Sequence, residues 1–345
     1  MDLNNFKITF DGILQTYVTD KIEKANWLIN NEKVAPFLEY ISTFIFSWWK
    51  RLRPYCLWVI YTWLGGNQDK DILHFWIVFE LLHSMALIHD DIIDQSKKRH
   101  NVETMHTYIY GLIKNHHVAE SQAILVGDLL LAWVYELLWQ SHKFPEQELQ
   151  KARINVHNMI EEVILGQMID VDMMSGNHTS LEMIERKNMY KTASYTFTRP
   201  LLTWAILAWA NEEILALVKE LWNHLWIAFQ LRDDFFDITF GDDTKTPFSD
   251  IQEWQQTYFT QYIFDHWTQE QQKILHSCMW KSLDKNQIID LQNIFRDSWA
   301  LEAGKKLILE HSKLAKDALD NIPFADETKK AGVTLLIDKI SHLYI

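Results

Sequence analysis

Glycine, proline and cysteine are all scarce in this 345-residue chain. It has 10 glycines, 6 prolines and 2 cysteines, and its glycine content lies well below the usual share of about 7%. The two cysteines, Cys56 and Cys278, exclude a disulfide framework and favour a reducing, cytoplasmic location. With six prolines, long segments of the chain contain no residue that would break a helix. The glycine deficit coincides with an unusually high count of 16 tryptophans.

An excess of basic residues and long hydrophobic runs are also absent. The chain has 33 Lys and Arg against 46 Asp and Glu, for a net charge of -13, which argues against a nucleic-acid partner. A phosphate-bearing ligand would therefore need a local cation cluster or metal ions. The longest apolar stretches, such as Leu201–Ala210, fall short of the roughly 20 residues of a spanning helix, and the first residues do not resemble a signal peptide. We expect a soluble, cytoplasmic protein without a transmembrane segment.

Apolar residues recur at helical spacing along almost the whole chain. Three segments are apolar nearly all round, as in helices buried within a bundle: 71–94, 121–141 and 212–238. Breaks are expected at 65–69, 142–148, 175–180 and 240–250. No repeat, low-complexity linker or shift in composition marks a domain boundary. The sequence predicts one all-α domain over residues 1–345, with roughly ten or more helices.

Two acidic motifs have the same spacing. The first aspartate cluster, in "HDDIID", is Asp90, Asp91 and Asp94; the second, in "RDDFFD", is Asp233, Asp234 and Asp237. Each follows an apolar helix, where like charges need a counter-charge or a raised pKa. A single cluster would favour a solvated helix end, but two matching clusters favour an oxygen-only site. Such a site suits Mg²⁺ with a phosphate, whereas zinc is disfavoured because no His/Cys ligand set accompanies the carboxylates.

The candidate anion ligands are cations placed around these clusters. Lys50, Arg51 and Arg53 lie together in "SWWKRLRPY", while Arg99, Lys191 and Lys245 stand singly. An isolated lysine is most often a solvated surface side chain. Two metal sites combined with single cations suggest two phosphate groups, one held through metal and the other by direct Lys/Arg contacts.

The chain resembles trans-isoprenyl diphosphate synthases along nearly its whole length. The matching motifs, in family order, are "KRLRP", "HSMALIHDDIIDQSKKRH", "GDLLLA", "GQMID", "KTA" and "FQLRDDFFD". The resemblance implies an isoprenoid-synthase bundle around a central apolar cavity. It also implies head-to-tail prenyl transfer: an allylic diphosphate ionises to a carbocation, the double bond of isopentenyl diphosphate attacks it, and a proton is lost. A dry apolar cavity would keep water from the cation.

The same resemblance implies roles for individual residues. Both aspartate clusters would hold Mg²⁺ and, with Lys191, form the catalytic set. The allylic diphosphate would contact Lys191, Thr192, Arg99, Lys245 and Gln230. Isopentenyl diphosphate would contact Lys50, Arg53 and His83. The family's paired arginines read Arg99-His100 here, so His100 would bind substrate with a charge that depends on pH. The chain also has Thr244 where the family has Gly, and Glu103 to His106 where it has Pro-Thr-x-His.

Product length and assembly are further expectations from the resemblance. The residues one turn before the first aspartate cluster, Met85 and Ala86, would form the cavity floor. Because neither is aromatic, we expect geranylgeranyl diphosphate or a longer product, and we expect a homodimer. Two alternatives are a non-catalytic regulatory subunit of the same fold and a class I terpene cyclase. The two intact aspartate clusters disfavour both.

Half of the tryptophans occupy positions where the family has glycine. They are Trp48, Trp49, Trp204, Trp209, Trp222, Trp226, Trp254 and Trp299. Glycine and tryptophan together make 26 of 345 residues, or 7.5%, close to the usual glycine share of about 7%. Overpacking a core by a few methylenes already costs about 1–3 kcal/mol. We hypothesise that UGA codons read as glycine in the source were translated here as tryptophan; the alternative is a diverged enzyme with genuine indoles.

Overall fold

The computed structural model describes most of the chain: residues 3–47, 58, 61–62, 64–66, 69–99, 102–140, 143–173, 180–239, 248–252, 256–278, 283–323 and 327–342. These residues form fifteen α-helices, one π-helix and one short antiparallel β-hairpin. The predicted all-α class is confirmed. The residues group into two compact units, 1–160 with 207–209, and 161–206 with 210–345. That the chain acts as one domain stays a prediction.

The first unit is a set of helices built around the segment that carries the first aspartate cluster. Its elements are α1 (Leu3–Ile29), α2 (Ala35–Phe46), α3 (Asp69–Ile93), β1 (Lys98–Arg99), β2 (Val102–Glu103), α4 (Met105–Ile113), α5 (His116–Trp139) and the first half of α6 (Glu146–Met173). Helix α3 packs mainly along α5. Its apolar side chains are buried on several faces, including Trp76, Leu82 and Ile88, as the continuous apolar run predicts.

The second unit is built around the helix that carries the second aspartate cluster. Its elements are the rest of α6, α7 (Leu181–Asn188), π1 (Met189–Thr198), α8 (Arg199–Leu207), α9 (Glu212–Thr239), α10 (Ser249–Gln252), α11 (Tyr258–His266), α12 (Gln269–Cys278), α13 (Lys285–Asp297), α14 (Ala300–Asn321) and α15 (Glu327–Ser341). Helix α9 packs chiefly against α14, and α14 also contacts α15. Trp222, Leu225 and Phe235 of α9 are buried.

Polar residues cap the starts of helices, and one of these caps, Ser180, lies at a predicted break. Ser180 caps α7, since its hydroxyl accepts a hydrogen bond from the Met183 amide at 3.3 Å. Asn115 caps α5 in the same way through Val118. These caps satisfy amides that have no partner within the helix. The start of α7 is therefore fixed about two turns before Lys187 and about three turns before Lys191.

A π-helix of ten residues, π1, joins α7 to α8. Long π-helices are rare, and shorter π-bulges occur often at functional sites. Lys191 lies in its first turn. Sequence periodicity could not distinguish this segment from the α-helices on either side.

Helix α5 is long and apolar enough to cross a membrane by length and composition. A buried core helix of a soluble protein has the same properties. In the first unit α5 buries Ala123, Leu130 and Val134 and packs along α3. Part of the apolar surface of α5 is therefore buried within the first unit.

Candidate active site

The first aspartate cluster lies where α3 ends. Asp90 and Asp91 are in the last turn, and α3 ends at Ile93. Asp94 follows the helix, with its amide donating to the Asp90 carbonyl at 2.8 Å, and it is exposed. The Asp91 side chain is fully buried, while the Asp90 side chain is 19% exposed. The three carboxylates thus differ sharply in solvent access although they share one motif.

Arg99 bridges Asp90 and Asp91. The chain turns after α3, and the β1–β2 hairpin, with Arg99 opposite Val102, carries the guanidinium back to the helix end. Arg99 Nε and Nη2 each lie 2.6 Å from Asp91 Oδ1, and Nη2 lies 3.5 Å from Asp90 Oδ2. This contact supplies the counter-charge that the clustered carboxylates require.

The second carboxylate oxygen of Asp91, Oδ2, differs from the first in its hydrogen bonding. Asp91 Oδ2 is buried and has no hydrogen-bond partner among the described residues. Burial raises the pKa of Asp91 to about 6; Arg99 opposes the rise and Asp90 adds to it. A buried acceptor without a partner is costly. A hard cation with oxygen ligands would suit this carboxylate, so its chemistry fits Mg²⁺.

Gly127 of the "GDLLLA" motif allows close contact between α5 and α3. A Cβ at Gly127 would lie 2.2 Å from His89 Nε2. His89 precedes the first aspartate cluster, and its Nε2 lies 3.1 Å from the Ile124 carbonyl oxygen. Two turns before Asp90, His83 is half-buried, and Met85 is buried between them with 4% exposure. Ala86 is half-buried.

The second aspartate cluster lies near the end of α9. Asp233 is exposed, Asp234 is buried and Asp237 is half-buried. Asp234 Oδ1 accepts from Gln230 Nε2 at 2.7 Å. Asp237 accepts from the backbone of the following segment, through Phe248 N to its carbonyl at 2.9 Å and Asp250 N to its Oδ2 at 3.2 Å.

The pKa of Asp234 lies well above its usual range. Burial is the main cause, and Asp250 and Asp233 add to the rise. Gln230 and Lys187 oppose it. A buried carboxylate crowded by other carboxylates occurs often at functional sites, where a bound cation can relieve the repulsion.

Lys191 is held by Asp170, a residue of the "GQMID" motif on α6. Lys191 Nζ lies 2.5 Å from Asp170 Oδ2, and Lys187 Nζ lies 3.3 Å from Asp170 Oδ1. The Asp170 and Lys187 side chains are 4% and 7% exposed, and that of Lys191 is 20% exposed. Burial alone would raise the pKa of Asp170, but the two lysines hold it below its usual value.

Close approach of α6 and π1 makes this contact possible. A Cβ at Gly166 would lie 2.3 Å from the Lys191 amide nitrogen and 2.7 Å from Lys191 Cα. One turn earlier on α6, Glu162 binds Arg199 and the Ser194 hydroxyl, with Arg199 Nε to Glu162 Oε2 at 3.0 Å. The π-helix is therefore attached to α6 at both ends.

Several predicted site residues lie outside the described residues. They are Lys50, Arg53, His100 and Lys245, together with the side chain of Thr192. Trp48, Trp49 and Trp254 also lie outside. Within the described part of the chain, no group of three His, Cys, Asp or Glu side chains converges closely enough to hold a metal ion. Metal ligation by the two aspartate clusters stays a prediction.

Sequence reasoning missed Lys187 and the partner of Lys191. The motif "GQMID" contains Asp170 but gives no indication of its lysine partners, which are at least 17 residues away. It also missed that Arg99 binds Asp90 and Asp91 themselves. The only available signal was the position of Lys187 one turn before Lys191.

A family model, curated relatives and a solved structure that resemble this chain all belong to the prenyl diphosphate synthases. The polyprenyl synthetase family model matches residues 36–296. The geranylgeranyl diphosphate synthase of Sulfolobus acidocaldarius is 29% identical over 281 residues, which cover 79% of this chain and 80% of that protein. That of Saccharolobus solfataricus is 27% identical over 330 residues, covering 94% and 96%. The crystal structure of geranylgeranyl pyrophosphate synthase from Corynebacterium glutamicum, complexed with isoprenyl diphosphate and magnesium, matches with a TM-score of 0.85, 25% identity and full coverage of both chains.

Proposed function

Because the chain belongs to the polyprenyl synthetase family and is a prenyltransferase, we propose that it condenses isopentenyl diphosphate with an allylic diphosphate in the presence of Mg²⁺. The product would be geranylgeranyl diphosphate or a longer trans-prenyl diphosphate. The observation that carries the proposal is the family match over residues 36–296, which includes both aspartate clusters and Lys191. The names of the relatives support the product class.

We assign the metal to the two aspartate clusters. Their oxygen-only ligands fit Mg²⁺, and the buried Asp91 Oδ2 lacks a hydrogen-bond partner among the described residues. When bound, Mg²⁺ neutralises the charge of the leaving diphosphate.

The chain's own cations have complementary tasks. Arg99 partly neutralises Asp90 and Asp91 and presents donors beside them. Lys191, held by Asp170, would bind the allylic diphosphate together with Thr192, Gln230 and Lys245. Lys50, Arg53 and His83, with His100, would bind isopentenyl diphosphate. Charged donors fixed before the reaction lower the cost of separating the diphosphate from the carbocation.

Chain length and assembly are part of the proposal. Met85 is buried on α3, one turn before the first aspartate cluster. With Ala86 beside it, the proposed cavity floor has no aromatic ring, which favours a longer product. We also propose a homodimer in the cytoplasm. Exposed apolar side chains in each unit, Leu125 on α5 in the first and Leu165 and Met168 on α6 in the second, support self-association.

A product assay tests the proposal directly. Purified protein is incubated with radiolabelled isopentenyl diphosphate and allylic diphosphates of increasing length, with Mg²⁺ or with a chelator, and the products are sized. Chain extension that requires Mg²⁺ is expected. Asp90→Asn should lower turnover by roughly 10³-fold with little loss of folded structure, while near-normal turnover would contradict the metal assignment. Hydrocarbon products would favour a terpene cyclase, and no product would favour a regulatory subunit.

A further inference from the structure

Lys187 occupies an unusual position for a lysine. Its side chain is 7% exposed at the end of α7, and its Nζ lies 3.3 Å from Asp170 Oδ1. Lys191, one turn later, binds the other oxygen of the same carboxylate. Two ammonium groups therefore share one buried carboxylate. Lysine is rarely buried to this extent without a specific partner.

Lys187 lowers the free-energy cost of moving Lys191 from Asp170 to a diphosphate. Lys191 is the residue expected to bind substrate phosphate. If it were the sole partner of Asp170, its transfer to a diphosphate would leave an ionised carboxylate buried and unpaired, which is strongly unfavourable. Lys187 can hold Asp170 while Lys191 reorients. With both lysines in place, the pKa of Asp170 lies below its usual value.

We propose that Lys187 is a positioning residue: by keeping Asp170 paired, it leaves Lys191 able to bind the allylic diphosphate. This inference rests on the proposed function. Lys187 does not itself need to touch substrate. Its positive charge also opposes the rise in the pKa of Asp234, so its field reaches the second aspartate cluster.

Steady-state kinetics of three variants test the role of Lys187. Lys187→Met should raise KM for the allylic diphosphate roughly tenfold, because Lys191 then becomes the only ion-pair partner of Asp170 among the described residues. The kcat and the KM for isopentenyl diphosphate should change little. Lys187→Arg should retain the parental KM. The double variant Lys187→Met/Asp170→Asn should recover a low KM, since it also removes the negative charge that binds Lys191.

An unchanged KM in Lys187→Met, or a double variant that does not recover, would overturn the proposal. If Lys187→Met is too unstable to assay, the double variant decides: a low KM supports the role and a raised KM rejects it. Failure of the proposed function is distinguishable, because the parent itself would then form no prenyl product.

The backbone at two tryptophans supports a second inference independently. Trp209 and Trp299 have φ angles of +60° and +66°, in the left-handed region. Each lies just after a helix, α8 and α13. The Ala210 amide donates to the Ala205 carbonyl at 2.9 Å, and the Trp299 amide donates to the Arg296 carbonyl at 3.3 Å. These bonds belong to the Schellman ending, in which glycine usually occupies the left-handed position.

Tryptophan gains nothing evident from this conformation. A left-handed backbone is unfavourable for residues with a Cβ, and the indole lacks the short polar group with which Asn or Asp offsets part of that cost. Both side chains are largely exposed, at 48% for Trp209 and 70% for Trp299. Burial therefore cannot account for tryptophan at either position.

We infer that the natural protein has glycine at positions 209 and 299, from UGA codons read as glycine. The shared codon extends the inference to the other tryptophans at family glycine positions: Trp48, Trp49, Trp204, Trp222, Trp226 and Trp254. Of these, Trp204, Trp222 and Trp226 are buried in helices α8 and α9. Glycine there would let the helices approach more closely, as Gly127 and Gly166 do elsewhere.

The gene and the native protein test the inference directly. UGA at codons 209 and 299, and native peptides whose masses contain glycine there, are expected. UGG codons or tryptophan-containing native peptides would overturn it. For the protein made with tryptophan, Trp209→Gly and Trp299→Gly should each raise Tm by roughly 2 °C or more.

Trp27→Gly is the matched control. Trp27 is 80% exposed within helix α1, where glycine is a poor helix former. This substitution should lower Tm. If Trp209→Gly and Trp299→Gly lower Tm as much as Trp27→Gly does, the left-handed backbone at these two positions does not favour glycine, and the structural argument fails.

Discussion

Replacing Gly166 with alanine should displace Lys191. The new Cβ would lie 2.3 Å from the Lys191 amide nitrogen and 2.7 Å from both Lys191 Cα and Tyr190 C. All three atoms are backbone, so no side-chain rotation can relieve the overlap. Restoring an ordinary carbon contact requires α6 and π1 to separate locally by roughly 1 Å.

A matched substitution separates the free-energy cost of the overlap at Gly166 from the effect of alanine on helix propensity. Gly111→Ala makes the same change in helix α4, where a Cβ would meet no atom of the described part of the chain within 4 Å. That variant should gain up to about 1 kcal/mol from the higher helix propensity of alanine. Gly166→Ala has the same gain in propensity but adds overpacking. Its free energy of unfolding should therefore fall about 1–3 kcal/mol below that of Gly111→Ala.

Chemical denaturation and steady-state kinetics measure the two effects. Because the backbone that carries Lys191 would be displaced by roughly 1 Å, kcat/KM for the allylic diphosphate should fall by roughly 10²-fold. Gly111→Ala should retain parental kinetics. Equal stabilities for the two variants, combined with unchanged kinetics in Gly166→Ala, would refute the view that close approach at Gly166 positions Lys191.

Three other properties of the site can be tested. Burial raises the pKa of Asp91 to about 6, so the native metal-free protein holds this proton more tightly than the unfolded chain. The contribution of Asp91 to the unfolding free energy should fall by about 2 kcal/mol as pH rises from about 4 to about 7, and Asp91→Asn should flatten this part of the pH profile in urea denaturation. Met85→Phe should shorten the product in chromatographic sizing; an unchanged product would remove Met85 as the cavity floor. Ser180→Ala removes the α7 cap and should lower the unfolding free energy by about 1 kcal/mol in urea titrations, with no loss if the cap is unimportant.

The long helices were predictable because their burial leaves a strong pattern. The apolar segment 212–238 corresponds to α9 (Glu212–Thr239), and 71–94 corresponds to α3 (Asp69–Ile93). The predicted break at 175–180 ends at the Ser180 cap. Periodicity and capping are local properties, so one sequence is enough to locate them.

The contacts around Lys191 were not predictable because they depend on tertiary structure. Asp170 reaches Lys191 through close packing at Gly166, and the intervening π-helix has the same residue types as an α-helix. The motif identified Lys191 but not its buried partner. In the same way, spacing grouped Asp90, Asp91 and Asp94, whereas the different exposure of the three carboxylates follows from the packing and the end of α3.

The π-helix also has a consequence for the length of the chain. A π-helical turn accommodates more residues than an α-helical turn over a similar path, so Met189–Thr198 contains surplus residues relative to an α-helix. Deleting a surplus residue there would favour the α form, as removal of a π-bulge does, and would leave the helices on either side close to their present path. The deletion would instead change the spacing of Lys191, Ser194 and Arg199, three residues that contact α6. A single-residue deletion in this segment should therefore be tolerated by the fold better than by the contacts that hold Lys191.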